Sequence, residues 1–509
     1  MKKISLLLAV MLLSTALLSG CSSDKDQQPD GAKKDTLVVA ISSAPSTLDG
    51  NGKNDSSSLE VRAQIYEGLV GQNEQMEIVP LLAESWEYEN DTTLIFNIRK
   101  GVKFHNGDEV KASDVAFSLK RAYDGGYSES ALSAVDFEKC EVVDEYTYKM
   151  VLKYPFAPIL ASVADASAVI VPQKVVEENG SDYLSSNPVG TGPYTLKEWV
   201  QGDRIELVKN ENYWGESKGV KNIVMRFISE VANRAIEVEV GGVDIAYDIS
   251  PNDIGRLEDN KDVVVQRTPN LATTYIAFNC EKEMFKDKRV RQAVGHALDL
   301  TSIVDAVYFG VGSTGKSMIA PTVWGYSENV KPLEYDIEKA KQLLAEAGYA
   351  DGLNTTIWVS DNQQRIDIAE IAQNSLKNVG INAEVKILEW GTFLEAVENK
   401  ELDIFILGSV ASSGDGDALY DSFYSKSHFS GNTAYYKDAE MDKLLEASRS
   451  EIDPEKRAKI LEEIQIKAIE EAPWIPVWHG EVVTASRSNV KGFVNHPTNF
   501  HSLANVYFE

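Results

Sequence analysis

The sequence predicts an α/β chain that also carries a mixed α+β subdomain, and three observations predict it. The chain has 509 residues, more than one hydrophobic core supports, so two or three domains are expected. Residues 355–408 read as strand, helix, strand, helix, strand, which is two consecutive crossovers in one α/β sheet. Residues 86–152 read instead as short alternating segments around one helix, the pattern of a small mixed unit.

Taken in order, residues 1–20 carry Lys2 and Lys3, an uncharged apolar run, and small residues at Ser19 and Gly20, the layout of a secretory signal. From Cys21 to residue 35 the chain is polar, with too few apolar residues to pack, and reads as a flexible tether. "TLVVAIS" (36–42) is a β-branched, apolar strand, followed by a polar loop to Ser58 and a helix with Leu59, Val61, Ile65, Tyr66 and Leu69 on overlapping faces. In the mixed unit, "TLIFNIRK" and "YTYKMVLK" alternate as strands and "SDVAFSLKRAYD" is its helix. Residues 195–210 form a hairpin closing at Gln201-Gly202-Asp203. "NIVMRFI", "EVANRAIEVEVGG" and "VDIAYDI" then give a strand, helix, strand order. The segment after residue 437 is helical, with Asp453 as an N-cap, Pro454 in the first turn and Pro473 as a stop. Its Lys/Glu alternation reads as a solvated face, and the last segment reads as returning strands.

Composition narrows the function classes. The net charge is −28, and loss of a leader carrying Lys2, Lys3 and no acid leaves −30. Nucleic acid and anionic lipid headgroups are disfavoured as partners because such a charge repels them. Beyond Cys21 only Cys140 and Cys280 remain, far apart, and they read as two separate thiols. His105, His296, His428, His479, His496 and His501 show no metal-ligand spacing, and no nucleophile elbow is present, so neither a metal nor another cofactor is expected.

One motif argues the other way. "GVGSTGKS" (310–317) fits the phosphate-loop pattern at every fixed position. Such a loop needs a strand before it and a helix beginning at its lysine. Residues 299–308 instead have helical spacing, and Pro321 falls where the helix would be in its second turn. The pattern reads as a Gly/Ser turn after a helix.

In an open α/β sheet ligands sit beyond the carboxyl ends of the strands. That places 361–365, 389–391 and 409–417 together.

Five ordered stretches resemble the family 5 extracellular solute-binding proteins, lipoproteins that deliver peptides and related solutes to ABC importers. They are "LAESWEYENDTTLIFNIRKGVKFHNGDEVKASDV" (82–115), "NPVGTGPYTLKEWVQGDRIELVKNENYW" (187–214), "GGVDIAYDI" (241–249), "FKDKRVRQAVGHALD" (285–299) and "YDIEKAKQLLAEAGY" (335–349). The resemblance implies a two-lobed periplasmic-binding-protein-like fold with an extra subdomain in the first lobe. Residues 36–75, 190–278 and 480–509 would form the core of lobe I, 76–189 the extra subdomain and 279–479 lobe II. It also implies a monomer with no catalysis of its own that closes over a short peptide and hands it to the importer's permease. Alternatives on the same scaffold are a glutathione-like peptide, a nickel chelate, haem or an oligosaccharide, and, more remotely, an exported hydrolase or sensor.

Leu18-Ser19-Gly20-Cys21 resembles a lipobox, which would put a diacylglycerol on Cys21 and anchor the chain to the extracytoplasmic face of the cell membrane. Peptide-binding relatives often carry an aspartate after the strand matching "LDIFILG", pairing with the peptide ammonium. Here alignment puts Ser412 at that place, with Asp415 and Asp417 as substitutes. "SSGDGDALYDSFYS" is closer to glutathione and dipeptide relatives than to long-peptide binders. On the same rim, Asp361 follows a strand end. Arg365 is a candidate for a ligand carboxylate or a surface arginine, and Trp390 for a stacking surface or a core residue. Ser42 and Ser43 are candidate backbone donors on the facing lobe.

Overall fold

The computed structural model describes residues 34–125, 128–427 and 431–509. The signal, Cys21 and most of the tether lie outside the described residues, as does His428.

One sheet runs through the molecule. The first strand (Thr36–Ile41) pairs in parallel with Asn222–Phe227 on one side and Ile245–Ala246 on the other. The hairpin Tyr194–Val200/Arg204–Lys209 extends that end. Two long antiparallel strands, Val263–Phe278 and Trp474–Arg487, carry the sheet onward to Ile404–Val410, Leu353–Ser360 and Ile381–Leu388. The strand expected over 243–249 is regular only at Ile245–Ala246, because Asp248 turns the chain with a φ of 53°.

The apolar run of Ile404–Val410 is explained by burial on both faces. Ile404 and Ile406 enter one core with Ile276 and Phe278. Phe405 and Leu407 enter the opposite core with Tyr275 and Ala277. The helices Gln363–Lys377 and Trp390–Glu398 are the crossovers joining the three parallel strands. At the other end two smaller cores flank the first strand, Leu37, Val39 and Ile41 on one side and Ala40 with Val243 and Ala246 on the other.

The mixed unit is a separate four-stranded antiparallel sheet ordered Ala83–Asn90, Thr93–Ile98, Thr147–Val151, Glu141–Asp144. Helix Ala112–Asp124 covers it, and Leu94, Phe96, Val115, Leu119 and Met150 make its core. Cys140 packs against this core and Cys280 against a core of the other lobe, and both thiols are free.

The two long strands change register midway. Pro269 faces Glu481 but Thr273 faces His479, and a second shift follows between Thr274 and Tyr275. Such bulges kink and twist a ladder without cutting it. His479 sits at the break. Its Nε2 accepts from the Lys316 amide at 3.2 Å, which leaves Nδ1 to donate to Thr273 Oγ1 at 3.0 Å. Burial, with a smaller contribution from Lys316, pulls its pKa down to about 4.

The glycine-rich motif is fixed against this junction. Helix Leu300–Tyr308 precedes it, Ser313–Thr314 pairs with His479 and Trp478, and no helix starts at Lys316. Gly312 has a φ of 81°, and a Cβ there would lie 2.2 Å from Trp478 Nε1 and 2.3 Å from the His479 carbonyl oxygen. Glycine is required here by close approach and backbone conformation.

Gly312→Ala is therefore expected to cost about 2–4 kcal/mol in urea unfolding. Lys316→Ala, which removes a side chain with no hydrogen-bond partner among the described residues, should stay within about 0.5 kcal/mol of the parent. A neutral buried histidine binds no proton in the folded state, whereas the unfolded one does below about 6.5. Stability held above that value is thus lost as pH falls toward 4. His479→Gln should flatten this part of a pH titration of the unfolding midpoint.

Candidate functional site

A cleft of about 1090 Å³ lies between the two halves of the molecule. Leu59 and Ala63 of helix Ser56–Ile65 line the first wall, followed by Tyr66 and Glu67. The opposite face of that helix buries Gln64 against the C-terminal segment, where its side chain donates to the His501 carbonyl and accepts from Leu503 N. Glu60 on the same helix is almost fully buried, and burial, reinforced by Asp248, pushes its carboxyl up to about 9, so it is protonated near neutrality. The rest of this wall comes from the turn at Gln72 and Glu74, from Asp165, and from residues 494–505.

The second wall is the carboxyl end of Ile404–Val410 and the loop after it, with Tyr275, Trp474, Thr433, Asp417, Asp421 and Arg449. Tyr275 and Trp474 stack face to face at 3.7 Å, and the indole Nε1 has no hydrogen-bond partner among the described residues. The walls also touch. Gln72 Nε2 donates to the Ser413 carbonyl at 2.6 Å, and Ala157 N donates to the Arg449 carbonyl at 2.7 Å. Met76 is buried in the core of the second lobe, where Gly414 leaves room for its methyl group.

The residues singled out from sequence separate into groups. Ser412 is exposed on the cleft wall. Asp417 lines the cleft but is bound through both oxygens by Arg449, at 2.7 and 2.8 Å. Asp415 lies beneath, 6% exposed, gripped by Arg457 at 2.8 and 2.5 Å while that guanidinium rests on the Trp324 ring. Neither aspartate presents a free carboxylate. Arg365, Trp390 and Asp361 do not line the cleft itself; Arg365 and Trp390 come together next to it, the guanidinium 5.5 Å from the ring centroid and 42% of Trp390 exposed. Arg365 Nη1 donates to Ser360 Oγ, and Nη2 lies beside cleft-lining Gly408. Desolvation lowers its pKa, and no carboxylate pairs with it among the described residues. Asp361 is exposed at the same strand end. Ser42 and Ser43 are not on the cleft surface, and Ser43 bonds Ser57 instead; Asn54, later in that loop, reaches it.

Sequence reasoning missed three contributors. Glu67 is 7% exposed, and Thr191, Tyr213 and Trp214 all donate to its carboxylate. Burial raises its pKa while these donors oppose the shift. A lone acid inside the apolar "IYEGLV" was the available signal. Arg449 belongs to a helix read as solvated, and its guanidinium packs 3.3 Å from the Tyr420 ring centroid. The C-terminal segment 494–505 carries no periodic pattern that could have placed it.

The chain matches the bacterial extracellular solute-binding proteins, family 5 Middle, over residues 77–431. The chain belongs to this family. It is 30% identical over 499 residues to the glutathione-binding protein GsiB of Escherichia coli O157:H7, spanning 96% of this chain and 95% of the relative. Among solved structures it is similar to HbpA2 of Haemophilus parasuis, with a TM-score of 0.85, 27% identity, and coverage of 93% of this chain and 100% of the other. It is also similar to the periplasmic binding protein DppA of Helicobacter pylori in complex with the peptide STSA, with a TM-score of 0.75, 28% identity, and coverage of 93% and 98%. The two-lobed solute-binding fold inferred from the five motifs is therefore the fold of this protein, and its role is binding for ABC import, without catalysis.

Breaking the buried pair from either side leaves an uncompensated charge. Arg457→Ala is expected to lower stability by about 3–5 kcal/mol in urea unfolding. Asp415→Ala should do the same. A ligand-binding role for Asp415 would instead predict lost affinity at unchanged stability.

Proposed function

We propose that the protein captures short peptides in the interlobe cleft and delivers them to its importer, anchored at the extracytoplasmic membrane face by a lipid on Cys21 and acting as a monomer. The observation that carries the peptide reading is Arg365. It is a half-buried guanidinium at the N-terminal end of helix Gln363–Lys377, beside the cleft, with no carboxylate partner among the described residues. A partly desolvated, unpaired guanidinium at a helix N-terminus suits a ligand carboxylate through two parallel N–H···O bonds. Trp390 supplies an apolar ring against the same end of the ligand. Exposed Ser412 offers a hydroxyl to the chain of the ligand, and Asp361 borders the same rim. Relatives support peptide-sized solutes: DppA of Helicobacter pylori is in complex with the peptide STSA, and GsiB is a glutathione-binding protein.

The test is native mass spectrometry of the mature chain, purified without denaturation, followed by release and sequencing of the bound species. Short peptides with free carboxyl termini are the expected result. Arg365→Ala should weaken their binding by about tenfold to a hundredfold, whereas carboxyl-amidated peptides should bind parent and variant alike. A protein that carries no peptide, and gains no mass from a pooled di- to pentapeptide library, would refute this reading.

A further inference from the structure

The charges lining the cleft are unbalanced. Five carboxylates, Glu67, Glu74, Asp165, Asp417 and Asp421, face one guanidinium, Arg449, and the described lining residues include no lysine. Arg449 is already engaged, bound to both oxygens of Asp417 and 3.6 Å from Asp421. Glu67 is held by its three donors. Glu74 and Asp165 have no ion-pair partner among the described residues, and the Asp421 carboxylate is 63% exposed. Asp165 accepts from the Ser167 amide and hydroxyl and Asp421 keeps its long contact with Arg449, so these three are the carboxylates with capacity left for a ligand.

Their distribution matters as much as their number. Glu74 sits on the turn between Val70–Gln72 and Ile78–Pro80, and Asp165 just beyond helix Ile159–Val163, both on the first wall. Asp421 is on helix Ala418–Phe423 of the second wall. Closing the lobes on an empty cleft would bring like charges together while excluding the water that screens them. A cation between the walls is attracted by both and removes that repulsion. The half-buried ring of Tyr213 in the same lining can accept its side of the contact.

We infer that the cleft selects peptides carrying a basic side chain over neutral peptides and over anionic ones such as glutathione. This rests on the peptide reading above and adds the charge of the ligand. The experiment is calorimetric titration of the full mature chain at low salt with Ala-Lys-Ala, Ala-Ala-Ala, Ala-Glu-Ala and glutathione. The lysine peptide is expected to bind at least about tenfold more tightly than Ala-Ala-Ala, with the gap narrowing as sodium chloride is raised. In a Glu74→Gln/Asp421→Asn variant, whose changed residues are exposed, the preference should fall below about threefold. Equal affinities, or tighter binding of Ala-Glu-Ala or glutathione, would overturn charge selection and leave the peptide reading standing. Failure of all four to bind would remove both.

Discussion

The placement of both cleft walls depends on the register of two strands, and that register is held at His479. Val263–Phe278 and Trp474–Arg487 pair antiparallel through the whole molecule, so each lobe is built on a different half of the same ladder. Were the pairing regular, the sheet would be one stiff plate. The shifts around Thr273 and Tyr275 divide it, and the divided region bends more readily than the ladder on either side. His479 joins three chains there: its backbone pairs with Thr273 and Ser313, and its ring connects Thr273 to the Lys316 amide. The glycine-rich segment acts as a brace on this junction, close enough to Trp478 and Pro476 that Gly312 and Gly315 have no room for a Cβ.

The electrostatics of the cleft follow from which charges the fold has already paired. Arg457 satisfies Asp415 below the wall, and Arg449 satisfies Asp417 at its surface. In a low-dielectric setting each pair offsets its desolvation only through bidentate geometry, and the same geometry withdraws both members from ligand binding. What remains for a solute is Arg365 on one rim and the acids of the two walls. The sequence −28 charge is a general solubility feature, whereas the acids around the cleft, of which Glu74 and Asp165 have no ion-pair partner among the described residues, are a local one.

The legibility of this structure from sequence followed the periodicity. The crossover region was readable because its apolar runs and helical faces are regular and its strands are buried on both sides. The phosphate-loop pattern was rejected correctly, since helix and proline positions contradict it, but the reading as a turn missed that the segment is pinned by glycine contacts. "VDIAYDI" was read too long because a positive φ at Asp248 depends on tertiary packing and not on residue type alone. At the site, the loop after Ile404–Val410, which topology placed at the strand ends, lines the cleft, whereas Arg365 and Trp390 sit together beside it. The pairing of Asp415 and Asp417 was not legible, because their arginines lie more than thirty residues away on helices whose solvated pattern concealed two inward-facing side chains.

Ser412 connects these observations. An acidic side chain at that place would put a fixed negative charge at the end of a strand, where one contact could hold a ligand amine. Here the hydroxyl of Ser412 provides no charge, and the two aspartates that follow it are already neutralised by arginine. The negative charge available to a ligand lies instead on Glu74, Asp165 and Asp421, divided between the lobes. A single-point contact fixes where an amine sits even in an open cleft. Charge divided between opposing walls acts most strongly when the walls approach, so it couples recognition of a cation to closure itself.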